Sequence, residues 1–141
     1  MTTAMTLNYP EEAIGIVMAC ADVDLPVVIS FTTETDGCLP DGMSVKDAIA
    51  SVDAATDGGP VYYMINCAHP DHFSNILDPD SNWTKRIKGI RANASCKSHA
   101  ELDESETLDA GDKQELARGY RHLKTLLPNL SIIGGCCGTD H

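Results

Sequence analysis

Positive charge is scarce in this sequence. Ten Lys+Arg stand against 21 Asp+Glu over 141 residues, a formal charge of −11. Nucleic acid needs clustered Lys and Arg for its phosphates, and an anionic membrane surface needs the same, so both are excluded as partners. Long apolar runs are missing too. Residues 14–21 (IGIVMACA) form one of the longest, well short of the roughly 20 residues that span a bilayer. Met1-Thr2-Thr3-Ala4 lacks the basic start and apolar stretch of an export signal, which sets the expectation of a cytoplasmic protein. No CxxC pair occurs, which removes zinc ribbons and thioredoxin-like sites. There is no internal repeat and no low-complexity segment, and the length suits one domain.

What the chain does have is six cysteines, at positions 20, 38, 67, 96, 136 and 137. Without an export signal, metal or thiol chemistry explains them better than a disulfide framework. Strands alternate with helices around them. Thr3 to Leu7 reads as the tail of a strand. Pro10, with Glu11 and Glu12 behind it, opens a helix to about Asp22. Leu25 to Phe31 is apolar and β-branched, hence a buried strand. Ser44 caps a helix through about Thr56, and Val61 to Ile65 is the next strand. A short helix over His69 to Leu77, a helical turn from Trp83 to Lys88 and a short strand from Ile87 to Ala92 follow. The stretch from Asn93 to Gly111 is polar and acidic, helix-like only in patches. Asp112 caps a helix to Leu127 with Leu116, Tyr120, Leu123 and Leu127 on one face, and Leu130 to Gly134 is the last strand. This alternation implies an α/β fold with a parallel sheet covered on both faces. Thr139 is a natural N-cap two residues before the sequence stops, so the chain reads as cut short.

Parallel α/β folds collect functional groups at the carboxyl ends of their strands. Cys67 falls just after one strand, and Cys136 and Cys137 just after another. Three thiolates with one open position describe a zinc site able to take an outside ligand. Adjacent cysteines in a regular strand would point to opposite faces, so the backbone must leave strand geometry there, with Gly134, Gly135 and Gly138 supplying the freedom. The alternative is that Cys136 and Cys137 are small buried residues of a glycine-rich turn.

Gly134-Gly135-Cys136-Cys137-Gly138-Thr139, with Ile65-Asn66-Cys67 upstream, resembles the zinc-thiolate signature of the homocysteine S-methyltransferase family. The likeness continues through Glu12-Ala13, Val28-Ile29-Ser30-Phe31-Thr32 and Ala92-Asn93-Ala94. It implies that residues 1–141 are the C-terminal half of a (β/α)8 barrel, strands four to eight, with the N-terminal half-barrel as the missing partner. It implies Zn2+ held by Cys67, Cys136 and Cys137, homocysteine or a similar thiol as acceptor, and S-methylmethionine, S-adenosylmethionine or a betaine as methyl donor, with methionine as product. The isolated 141 residues are then expected to be inactive. The alternative is a degenerate homologue or a non-catalytic half-barrel that binds zinc or thiols.

The resemblance places Asn93 beside the amino acid substrate, although Ser95 stands where the family has a glycine; a loop-capping role is the other reading. Glu34 and Asp36 follow the strand ending at Phe31 and could face the mouth, where solvated loop acids are the alternative. His69 and His72 are assigned to supporting or surface roles, Cys20 to helix packing, and Cys38 and Cys96 to no partner. Thr3-Ala4-Met5-Thr6-Leu7 offers no acid where many family members carry a strand-end Glu.

Overall fold

The computed structural model describes residues 1–139. Five strands, β1 (Thr2–Leu7), β2 (Val27–Phe31), β3 (Tyr63–Asn66), β4 (Ile87–Ala92) and β5 (Ile132–Gly135), form one parallel sheet in the order β1-β2-β3-β4-β5. Helices α1 (Pro10–Ala21), α2 (Val45–Thr56), α3 (Pro70–Phe73), α4 (His99–Asp103) and α5 (Lys113–Leu126) occupy the connections. Strand order therefore follows chain order. Right-handed crossovers then stack successive helices on one face of the sheet, the winding of a barrel, and α1 packs on α2. Sheet and helices together are consistent with part of a barrel. Among the described residues no helix is long and apolar enough to cross a membrane.

Strand alternation sorts the core. Val27, Ile29 and Phe31 of β2 point toward the helices and pack with Ala13 and Val17 of α1 and Ala48, Ile49 and Val52 of α2. Tyr63 and Ile65 of β3 continue this layer, with the Tyr63 ring stacked on Phe31 at 6.2 Å between centroids. Val28, Ser30 and Met64 are equally buried but belong to the opposite face. In β4, Ile87 and Ile90 are three apart yet both reach the helix-side core. A register shift makes this work, since Tyr63 pairs with Ile87 and Met64 with Gly89. A Cβ on Gly89 would lie 2.7 Å from Met64 side-chain atoms. Arg86 donates to both Asp53 carboxylate oxygens, at 2.9 and 3.1 Å, and Tyr63 Oη donates to the same group at 2.7 Å. That trio ties α2 to the start of β4.

Element boundaries shift from the sequence reading in specific ways. Leu25, Pro26, Val61 and Tyr62 lie before their strands, because residues 22–24 and 57–58 turn tightly, with Asp24 and Asp57 in left-handed conformations at φ 52°. The helix expected over His69 to Leu77 is a single α-turn followed by a 3₁₀ turn, Ser74–Ile76. Within the polar stretch 93–111 there is a real helix, α4, fixed by a reciprocal capping box between Ser98 and Glu101. Coverage on the edge strand is incomplete: Ile132 and Ile133 are 37% and 54% exposed.

The α3–α5 contact gives a stability test. Gly119 lies in α5 directly over Pro70, and a Cβ there would come within 2.8 Å of Pro70 Cβ. Gly15 in α1 has nothing within 4 Å of the same position. Replacing a helical glycine by alanine normally stabilises by roughly 0.5–1 kcal/mol. Gly15→Ala is expected to do so, whereas Gly119→Ala is expected to cost about 1–3 kcal/mol through overpacking. Urea unfolding of the two variants checks the opposite signs.

Candidate functional site

Strands β3 and β5 are not neighbours; β4 lies between them. Two strand spacings separate their backbones by roughly 10 Å. Side chains leaving their ends can meet only if both loops lean over the end of β4. They do. Cys67 turns off β3 with a left-handed φ of 54°, and its N–H donates to Arg91 O at 3.0 Å. Strand β5 ends at Gly135, and Cys136 N–H donates to Ala92 O at 2.8 Å before the chain turns through Cys137 and Gly138. Cys67 Sγ and Cys136 Sγ end 2.6 Å apart. With Cys137 Sγ, all three sulfurs lie within 4.8 Å of one another, the only such group of potential metal ligands among the described residues. All are free thiols.

The glycines act differently from the sequence expectation. Only Gly138 takes a left-handed φ, 75°; Gly134 and Gly135 remain in β5. What Gly134 and Gly135 provide is space, since a Cβ on Gly134 would press on the Arg91 side chain at 3.2 Å and one on Gly135 on Thr139 at 2.1 Å. Gly138 needs both freedoms, because a Cβ there would also meet Asp109 O at 2.4 Å.

A second layer of polar bonds holds the cysteine loops. Asn66, 1% exposed, accepts from Thr6 N–H at 2.9 Å and Ser30 Oγ at 2.5 Å, and donates to Thr6 Oγ1 at 2.7 Å. Thr6 has φ 60°, a strained conformation for a β-branched residue, and these bonds secure it. Asn93 donates from Nδ2 to Cys67 O at 3.0 Å and accepts Cys137 N–H on Oδ1 at 3.1 Å. Its carboxamide thus borders the cavity while serving the two cysteine backbones.

His99, at the start of α4, was invisible to periodicity. Its Nε2 donates to Cys67 O at 2.6 Å and its Nδ1 lies 3.1 Å from Glu34 Oε1. Both partners are acceptors, so the imidazole makes both bonds at once only when doubly protonated. Burial opposes that charge, but the bonds to Cys67 O and Glu34 outweigh it and raise the His99 pKa. The Ser98-x-x-Glu101 capping box is the signal that marks this helix start in the sequence. For Cys67 itself, burial and the neighbouring Cys136 thiol push the pKa up.

Glu34, Cys67, Asn93, His99 and Cys137 share one cavity of about 690 Å³ with Thr6, Asn8, Thr32 and residues of the 102–109 stretch. Thr32 Oγ1 and Asn8 Oδ1 are buried there with no partner from the protein. Asp36 lies outside this lining and bonds Cys38 N–H instead. Neither His69 nor His72 joins the sulfurs. Both are buried, His69 capping α3 and His72 bonding Cys96 O at 2.8 Å, rather than lying at the surface. Cys20 packs against the core, and Cys38 and Cys96 stand apart from the cluster.

Comparison with known proteins follows the same lines. No curated protein sequence matches the chain. The fold matches the crystal structure of the homocysteine methyltransferase MmuM from Escherichia coli in its apo form, with a TM-score of 0.67 and 19% identity. The match covers 97% of this chain and 44% of that one, so the chain spans less than half the length of that relative. The family model described as homocysteine S-methyltransferase matches residues 1–141. The match runs through both cysteine segments and every strand between them, and the chain belongs to the homocysteine S-methyltransferase family.

Proposed function

We propose that Cys67, Cys136 and Cys137 hold one zinc ion and that the cavity beside them serves methyl transfer to homocysteine or a similar thiol, giving methionine. The observation that carries this reading is the convergence of three free thiols from two strand ends, 69 residues apart for Cys67 and Cys136, with Cys67 and Cys137 lining a cavity. The donor set fits the metal: soft thiolates select zinc over hard cations, and three of them leave a fourth position for a ligand. When bound, zinc supplies a thiol acceptor in its deprotonated form at neutral pH.

The chain's own groups would do the rest. Asn8 Oδ1, an acceptor, and Thr32 Oγ1, which can donate or accept, have no partner within the protein and belong to residues lining the cavity, a polar edge for the amino acid end of such a thiol. Glu34 is paired with His99 and Asp109 with Lys97, so Asp103 and Glu106 carry the acidic charge of the cavity wall, which draws in a cation. That favours a sulfonium or betaine-type donor such as S-methylmethionine, S-adenosylmethionine or betaine. In an in-line displacement the acceptor sulfur gains the methyl as the donor's own bond to that methyl breaks, and the donor loses its positive charge. The Glu34–His99 pair would anchor the Cys67 loop during this exchange. In this reading residues 1–141 supply strands four to eight of a (β/α)8 barrel.

Two outcomes follow. Reduced protein is expected to bind about one zinc per chain, measured by metal analysis after desalting. Cys67→Ser, Cys136→Ser and Cys137→Ser should each abolish tight binding, whereas Cys20→Ser, Cys38→Ser and Cys96→Ser should not. A triple variant at 67, 136 and 137 that retains the metal contradicts the assignment. Joined to the barrel strands that precede it in this reading, the protein is expected to form methionine from homocysteine with one of the three donors. Cys136→Ser and Cys137→Ser should bring that rate to background in a methionine assay, and activity that survives both contradicts thiol activation at this site.

A further inference from the structure

Asn93 stands immediately beyond β4, the strand that separates the two cysteine loops. It is 3% exposed. On one side, its backbone N–H donates to Ala68 O at 3.1 Å and its Nδ2 to Cys67 O at 3.0 Å. On the other, its Oδ1 accepts Cys137 N–H at 3.1 Å, and the next residue, Ala94, donates its N–H to Cys137 O at 2.9 Å. Each loop thus receives one backbone bond and one carboxamide bond. The amide orientation is fixed by its partners, because a flipped group would set its NH₂ against the Cys137 N–H and its oxygen against Cys67 O.

We propose that Asn93 is the positioning residue of the cysteine site, its carboxamide setting the separation of the Cys67 and Cys137 backbones so that three sulfurs face one ion. The proposal rests on the reading that these cysteines hold a metal. The chemistry required is a donor and an acceptor on one short, rigid group. Aspartate has no donor for Cys67 O, alanine has neither function, and glutamine is one methylene too long. The two backbone bonds remain in any variant, so the sheet edge keeps its connections while the spacing of the sulfurs relaxes.

Cobalt(II) is the probe. Reduced, metal-free protein titrated with cobalt under anaerobic conditions is expected to develop sulfur-to-cobalt charge-transfer bands and the visible bands of a tetrahedral ion. Asn93→Ala and Asn93→Asp should each weaken cobalt binding by about 10–100-fold, with altered visible bands. The metal-free variants should keep the far-ultraviolet circular dichroism of the parent. Asn129→Ala, which cuts a similar carboxamide bond to Lys85 O far from the site, should leave binding unchanged. Parent and both Asn93 variants binding equally well, with the same bands, overturns the role of Asn93 alone. Loss of the native circular dichroism in both Asn93 variants also overturns it, since Asn93 would then be a residue of the fold. Absence of thiolate bands in the parent overturns the cysteine site itself and the proposal with it.

Discussion

The arrangement depends on two loops leaning toward each other across the end of an intervening strand. In a parallel sheet, β3 and β5 would keep their ends roughly 10 Å apart, yet Cys67 Sγ and Cys136 Sγ approach to 2.6 Å. Everything around the site answers that demand. Cys67 takes a left-handed turn, Cys136 and Cys137 lie beyond the strand rather than in it, and β4 contributes Arg91 O and Ala92 O as backbone acceptors for Cys67 and Cys136. Tyr120 reaches in from α5 and accepts the Ala92 N–H at 2.9 Å, while its hydroxyl donates to Gly134 O. A helix side chain is thus wedged between β4 and β5 just where β5 gives way to the cysteines. Burial pushes the Tyr120 pKa up, so the hydroxyl stays protonated and keeps its role as donor.

Strain and polarity concentrate at the same edge. Thr6 and Cys67, both non-glycine residues in left-handed conformations, flank Asn66 in space and in sequence respectively. Such positions cost of order 1–3 kcal/mol each and persist when their surroundings over-determine them. Asn66 and Asn93 do so with bonds on both sides of their carboxamides. The carboxylates of Glu34, Asp103, Glu106 and Asp109 line the cavity beyond, with the His99 imidazole against Glu34. The three sulfurs thus sit at the edge of a cavity whose lining is partly apolar and partly acidic.

Much of this was legible in the residues. The parallel sheet follows from apolar runs alternating with capped helices, and strand-end placement alone puts Cys67 at the same sheet edge as Cys136 and Cys137. The glycine argument reached the right place by a partly wrong route: only Gly138 uses its conformational freedom, whereas Gly134 and Gly135 make room for Arg91 and Thr139. His99 escaped because residues 93–111 have no hydrophobic period, although the capping box at Ser98 and Glu101 was there to be read. The burial of His69 and His72 escaped for another reason. Their environment is set by the close approach of α5 over Pro70 at Gly119, a contact between segments about 50 residues apart that no local pattern encodes. The double use of the Asn93 carboxamide belongs to the same class, since it depends on which backbones lie on either side.

Zinc K-edge X-ray absorption on reduced, zinc-loaded protein tests the central claim most directly, because it counts the sulfur neighbours of the metal. The account requires three sulfurs in the protein alone and four when homocysteine is added in excess. Fewer than three sulfurs without homocysteine, or a count that does not change when it is added, would contradict it.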